Sequence, residues 1–406
     1  MEHLKTCNRH LMREINFKLV LECVRKYGPT SQIELAEKTN LSAGTITNIV
    51  RELKKLGFIS EIGKGKSLAG RRPVLIQFNQ QARYIISVEL TVERTTLAII
   101  DLGANIKLKR EEIRSKHTKA DKALKSLCRQ IKNLVHQSGT TKSDILGISV
   151  AVEAIVDSGQ KRIISSVNLG WKDVPIRAII EKQTGLKTIV NGTAVCMIFG
   201  EYLYGAGKNV DNLICLDIDS GIGAVAIELG HILRGAHSMA GEIGHSLAKK
   251  DGELCRCGNK GCLETIASGS AIVSRIREKL NKGVKSTIPD AIFSCNTKDA
   301  IKLIADNFMK GDKLSKTVIS EAGYYLGVAT AWLINMLDTE LLILSGFVTT
   351  ESNGVILDLI RNEAVEHILP EKSRSIRIEE GTLGKDAAII GAAALLCETV
   401  FANPIS

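Results

Sequence analysis

The sequence predicts an α/β protein with a winged helix-turn-helix ahead of a larger α/β body, and three observations carry that prediction. Apolar residues keep helical spacing through the first 56 positions and then alternate in short strands. From residue 84 onward, apolar strand runs alternate with helical stretches, as expected of helices packed on sheets. One histidine and three cysteines fall within the eighteen residues from His245 to Cys262, at metal-ligand spacing. A chain of 406 residues is long enough for two or three domains with substantial cores.

In chain order, Ile15, Leu19, Val20, Cys23 and Val24 recur at helical spacing, and Gly28-Pro29 stops that helix. Ser31-Gln-Ile-Glu34 has the spacing of a capping box, with Ser31 capping a helix that runs to about Thr39. Asn40-Leu41 makes a short turn, and Ser42 caps the next helix, residues 43–56. Along it Ile46, Ile49, Val50, Leu53 and Leu56 form the buried stripe, which leaves Ala43, Thr45, Thr47, Asn48 and Arg51 on or beside the open face. Gly57-Phe-Ile-Ser-Glu61 reads as the first strand of a wing. Residues 63–73 form its glycine-rich tip with Arg71 and Arg72, and Val74, Ile76 and Phe78 alternate as the return strand.

Charge points to the partner of this module. Residues 1–83 carry 15 Lys or Arg against 7 Asp or Glu, so +8 of the chain's net +10 sits in its first fifth. A basic segment alone is more often a solvated surface, but here it coincides with a helix-turn-helix and a wing. Double-stranded DNA is the expected partner. Small and polar residues early in the reading helix let it enter the major groove, so Ser42, Thr45, Thr47, Asn48 and Arg51 are the candidate contacts there. Arg71 and Arg72 suit the DNA backbone or the minor groove. The alternative, an ordinary three-helix bundle, leaves the wing unexplained.

In the body, Tyr84-Ile-Ile-Ser-Val-Glu-Leu, Thr96 to Asp101, Ile145 to Val152, Thr188 to Asn191 and Asn212 to Ile218 read as strands. Helical stretches are expected near residues 120–137, 174–184, 193–204, 266–281, 318–336 and 386–400. No 18-residue apolar run occurs, and the opening residues lack the apolar core of a signal peptide, so a cytoplasmic protein with no membrane partner is expected. Cys7, Cys23, Cys128, Cys196, Cys215, Cys295 and Cys397 are scattered, several in apolar surroundings, which argues against a disulfide framework. The clustered set differs. His245, Cys255, Cys257 and Cys262 supply four soft or borderline ligands, which fill every position of a tetrahedral zinc and leave none for water. The expected zinc is therefore structural; the alternative is a cluster of unligated thiols.

The winged helix, the Cys/His loop and the phrase Ala240-Gly-Glu242-Ile-Gly-His245 together resemble the ROK family (repressors, open reading frames and kinases), in its transcriptional repressor branch of xylose, N-acetylglucosamine and glucose-regulon repressors. The resemblance implies a winged helix-turn-helix at 1–82, then a two-lobed sugar-kinase/actin-like fold. Its first lobe would span 83–200, joined by a C-terminal helix at about 386–406, and its second, with the zinc loop, 201–385.

Kinases of this family carry an Asn-Asp pair after the strand formed here by Thr188-Ile-Val, with the Asp as catalytic base; this chain has Asn191-Gly192, and glycine accepts no proton. Their first phosphate loop is similar to Asp-x-Gly-Gly-Thr, where this chain has Glu89-Leu-Thr-Val-Glu93. The second loop, Asp219-Ser-Gly221-Ile-Gly223, and Ser345-Gly346 are better kept, although tight turns explain glycines equally well. The resemblance implies sugar contacts at Asn168, Asn191, Glu242, His245 and Glu264. Glu153 stands in the loop where the family has Pro-Gly beside the sugar; it is expected either to fill that space or to select a different ligand, such as an amino or otherwise modified sugar.

The expected function is a DNA-binding regulator of carbohydrate-metabolism genes, a repressor and not an enzyme. It would sense a sugar or sugar derivative and act as a homo-oligomer, dimer or tetramer, on a palindromic operator. Control by a protein partner with a vestigial pocket, and a sugar kinase with an added DNA-binding domain, are the alternatives.

Overall fold

A computed structural model gives the fold and describes residues 9–65, 72–114, 118–157, 159, 161–166, 168–370 and 375–402. The chain forms two compact units: residues 1–150, 175–190 and 392–406 make the first, and residues 151–174 and 191–391 the second.

The first unit begins with helices Arg9–Tyr27, Gln32–Thr39 and Ala43–Lys55. Strand Val74–Phe78 lies between Thr30–Ser31 and Ile59–Lys64 in an antiparallel three-stranded sheet. The Ser31 capping box forms: the Ser31 N–H donates to Glu34 Oε2 at 2.7 Å, and the Glu34 N–H donates to Ser31 Oγ at 3.3 Å. Asn40 makes the turn between the second and third helices at φ 55°, a left-handed conformation that Asn tolerates.

Two local expectations are corrected. The first helix buries the expected Val20, Cys23 and Val24, but Ile15 and Leu19 are 52 % and 42 % exposed, and Phe17 and Leu21 are buried in their place. Both sets keep helical spacing, so periodicity alone leaves the buried face open. The wing strand starts at Ile59 instead of Gly57, because Gly57 at φ 80° ends the third helix. Its N–H bonds to the Lys54 carbonyl, and the Phe58 N–H bonds to that of Leu53. The wing tip at residues 66–71, including Arg71, lies outside the described residues.

A five-stranded sheet follows, in the order Thr188–Gly192, Ile145–Val152, Tyr84–Leu90, Arg94–Asp101, Ile106–Ile113. Helix Ala120–Ser138 buries Leu124, Leu127, Cys128, Ile131 and Leu134, a 3–4 spacing that makes one apolar face. The far end of the last helix, Ala387–Ala402, packs within the same unit against the winged module. Phe401 stands edge-on to Phe58 with centroids 5.5 Å apart, and Glu398 pairs with Lys18 at 2.9 Å and Arg25 at 3.7 Å.

The second unit is built on a five-stranded sheet ordered His231–Ile232, Ile222–Glu228, Leu213–Ile218, Leu341–Ser345, Arg377–Glu380. Leu213–Ile218 pairs antiparallel with Ile222–Glu228 and parallel with Leu341–Ser345. Its core joins Ile214 and Leu216 of the sheet to Ile276, Ile304 and Leu326 of the helices. The helix expected at 266–281 is divided at Ser268, whose hydroxyl accepts from the Ala271 N–H and caps Gly269–Asn281. The helix expected at 318–336 begins earlier, at Lys313, because Asp312 Oδ1 caps it through the Ser315 N–H at 2.7 Å. Helices Thr297–Met309 and Val355–His367 were not expected. Among the described residues no helix is long and apolar enough to cross a membrane.

Candidate functional site

Three features carry chemistry, and the first is the helix Ala43–Lys55. Ile46, Ile49, Val50 and Leu53 bury one face, so that Thr47, Asn48 and Arg51 emerge on the other. Ser42 and Thr45 are engaged in the cap: Ser42 Oγ accepts from the Thr45 N–H at 3.2 Å and lies 2.9 Å from Thr45 Oγ1. The Thr47 hydroxyl lies 2.8 Å from the Ala43 carbonyl and 3.0 Å from Gln32 Oε1, and its single proton serves one of them at a time. Asn48 and Arg51 are exposed and make no side-chain hydrogen bond or ion pair among the described residues. Their donors are available to a partner. Arg72 is exposed at the start of the return strand, while Arg13 fixes the helix from behind, donating to Glu52 at 2.8 and 2.9 Å.

The second feature is the Cys/His loop. The donor atoms of His245, Cys255, Cys257 and Cys262 all lie within 4.8 Å of one another and can hold a metal ion. Cys255 Sγ is 3.6 Å from His245 Nδ1, and Cys257 Sγ is 3.7 Å from Cys262 Sγ. Cys255 and Cys262 are buried and Cys257 is exposed. Burial raises the Cys255 thiol and pushes that of Cys262 up to about 12, whereas the Asn259 backbone N–H holds Cys257 below the usual thiol range. The loop closes on itself: the Cys255 N–H donates to the Asn259 carbonyl at 2.7 Å. Gly261, at φ 73°, passes so near the Lys249 carbonyl that a Cβ would stand 1.8 Å from its oxygen.

The third is a cavity of about 400 Å³ within the second unit. Of the five expected sugar contacts, Asn168, Glu242, His245 and Glu264 line it together. Asn191 is not in its wall; it is 1 % exposed, and its Oδ1 accepts from Arg234 Nη2 at 3.2 Å. Glu153 lines the cavity too, and its Oε1 accepts from Asn168 Nδ2 at 2.5 Å. Burial raises the Glu242 carboxyl above the usual range; Glu264 raises it further, and His245 opposes both. Glu264 Oε2 accepts from the Ile222 N–H at 3.3 Å. One group of lining residues escaped the sequence reading: Ala271, Ser274, Arg275 and Glu278. Their i, i+3, i+4, i+7 spacing was the available signal, a polar face on an otherwise core-forming helix.

Two further stretches stand where the resemblance placed the kinase phosphate loops. In the first unit, Glu89–Glu93 is a closed hairpin turn: the Thr91 N–H donates to the Arg94 carbonyl at 3.0 Å, and Leu90 is 1 % exposed. Glu89 is buried, with Arg94 Nη2 at 3.6 Å and the Thr96 hydroxyl at 3.3 Å. In the second unit, Asp219 Oδ1 accepts from the Phe347 N–H at 2.6 Å, and the Phe347 ring lies so close to Gly269 that a Cβ there would meet it at 2.6 Å.

Known proteins share this architecture. The chain is 28% identical over 388 residues to the xylose repressor of Bacillus spizizenii, covering 95% of this chain and 96% of that one. It is 29% identical over 356 residues to the DNA-binding transcriptional dual regulator NagC of Escherichia coli strain K12, covering 87% and 86%. The crystal structure of a ROK family transcriptional regulator, a homolog of the E. coli MLC protein, superimposes with a TM-score of 0.84 at 26% identity over 97% of both chains. A ROK family glucokinase from Streptomyces griseus, solved with glucose and AMPPNP, shares the fold at a TM-score of 0.67 and 24% identity over 78% of this chain and 99% of its own. The winged helix-turn-helix DNA-binding pattern matches residues 18–60. The ROK family pattern matches residues 85–399, so behind its winged helix the chain has a sugar-kinase-like body and belongs to the ROK family.

Proposed function

We propose that this protein is a transcriptional repressor of carbohydrate-metabolism genes whose kinase-like body binds a sugar or sugar derivative and transfers no phosphate. The observation that carries the reading is the exposed face of Ala43–Lys55, where Asn48 and Arg51 project from a helix packed against the other two helices and strand Ile59–Lys64. Asn pairs with adenine and Arg with guanine through two hydrogen bonds each in the major groove. Two such helices must stand about one turn of DNA, ~34 Å, apart, which calls for a homo-oligomer, dimer or tetramer, on a palindromic operator in the cytoplasm. The likeness to the xylose repressor over 95% of this chain and to the regulator NagC over 87% of it supports the same conclusion.

Loss of phosphate transfer is supported by residue chemistry. Gly192 follows Asn191 where a kinase needs a proton acceptor, and the Glu89–Glu93 turn is closed and acidic where a triphosphate would need open backbone N–H groups. A small effector is supported by the cavity. Had side chains filled the space around Glu153, control by a protein partner alone would be the better reading; about 400 Å³ is open there, within the usual range for small-molecule sites.

His245, Cys255, Cys257 and Cys262 would hold a structural zinc. With bonds of ~2.3 Å to sulfur and ~2.0–2.1 Å to nitrogen, a tetrahedral zinc sets its ligands about 3.8 Å (S···S) and about 3.6 Å (S···N) apart. The pairs Cys257–Cys262 at 3.7 Å and Cys255–His245 at 3.6 Å fit. With Nδ1 on the metal, the His245 proton is fixed on Nε2, a donor for a ligand hydroxyl at the cavity wall.

The test is to capture sheared DNA of the source genome on the purified protein, sequence it, and repeat with Arg51→Ala. Enrichment of one palindromic site, reduced at least about tenfold in the variant, is expected for the loss of a bidentate contact. Uniform binding to all fragments would overturn the reading.

A further inference from the structure

The cavity is more acidic than a neutral sugar requires. Five glutamates, two arginines and no lysine line it; Arg275 is committed to Glu321 and Glu278 to Lys282, which leaves four glutamates against Arg256. Neither Glu242 nor Glu264 is paired with a lysine or arginine among the described residues. Glu153 contributes most directly, since its Oε1 takes the amide proton of Asn168, the side chain read as a hydroxyl contact. That bond has two consequences. It spends a neutral donor of the wall on a carboxylate, and it holds a carboxylate beside the ligand space.

An ionised carboxylate only accepts hydrogen bonds and carries a full negative charge, so Glu153, Glu242 and Glu264 add negative charge to a wall whose other polar groups are mainly serine and threonine hydroxyls. A neutral hexose brings hydroxyls, each with one donor and two acceptor sites, and no positive charge to set against those carboxylates. An ammonium group brings three donors and no acceptor, and its bonds to carboxylates are charge-assisted, roughly twice as strong as neutral ones. A bare metal ion would satisfy the charge but not the volume of about 400 Å³, nor use the serine hydroxyls and the amide at the wall.

We propose that the effector is a hexose carrying a free ammonium group, selected over neutral sugars by Glu153. This rests on the sugar-binding reading above and narrows it to one ligand class.

Titration calorimetry on the full-length protein tests it, with glucosamine, galactosamine and mannosamine set against glucose, galactose, mannose and N-acetylglucosamine, below the pKa of the amines. At least one amino sugar is expected to bind about tenfold more tightly than its neutral parent. In Glu153→Gln, which keeps an acceptor for Asn168, that preference is expected to vanish, with unaltered melting of the ligand-free protein showing that the variant folds. Equal or weaker binding of all three amino sugars than of neutral ones would overturn the proposal and leave the sugar reading standing. A preference that survives in Glu153→Gln would overturn the role of Glu153. Failure of every sugar to bind would overturn both.

Discussion

Single residues differ in how openly the sequence declares them, and the Cys/His loop and Asn191 mark the extremes. Four metal-type donors within eighteen residues have few structural explanations, and His245, Cys255, Cys257 and Cys262 do converge. Asn191 was equally visible as the residue after a buried strand, but its surroundings depend on Arg234, 43 positions away, which no local pattern announces. The loop also offers a clean test of the zinc reading. Cys257 is the exposed ligand, so replacing it removes a thiolate without opening a hole in the core. Cys257→Ser is expected to lose most of the zinc that the wild-type protein retains through dialysis, and to melt lower by ~2–4 °C for each ~1 kcal/mol of metal-linked stability. Full zinc occupancy with an unchanged melting curve would refute the assignment.

Some elements were legible from cap and pattern together and others from pattern alone. The second helix has both a capping box and a buried Leu35, and the helix at 193–204 was found to the residue. The first helix shows the limit, because Ile15 and Leu19 keep the same spacing as the residues that are buried. Only the neighbours decide between two apolar stripes, and one neighbour of the first helix, Glu398, comes 380 residues after its partner Lys18. Phe401 is 1 % exposed against Phe58, next to Glu398 paired with Lys18 and Arg25, so the last helix is part of the foundation of the winged module. Phe401→Ala is therefore expected to destabilise by about 3–5 kcal/mol, the usual loss for a buried aromatic ring. Limited proteolysis should then sever the winged module from the body at residues 79–83, between strands Val74–Phe78 and Tyr84–Leu90. A variant as stable as wild type would mean that the ring contributes no packing at this junction.

For the whole molecule, the uneven charge separates tethering to DNA from recognition of a sequence. The first 83 residues hold +8 of the net +10, and that surplus attracts any duplex, releasing counterions as it binds. Sequence preference must come from the few side chains that reach base edges. Arg72, exposed on the wing, and Asn48, exposed on the helix, belong to opposite sides of this division. Arg72→Ala should weaken binding to operator and random DNA alike and reduce the slope of log K against log salt by about 1, since one phosphate contact is lost. Asn48→Ala should leave that slope unchanged and cost ~1–3 kcal/mol on the operator only, so that specificity falls while general affinity stays. Fluorescence anisotropy over a salt series, with operator and scrambled duplexes, measures both quantities in one experiment. Equal weakening on both duplexes by Asn48→Ala would mean that the helix only holds the backbone, and the source of specificity would have to be sought in the shape of the DNA.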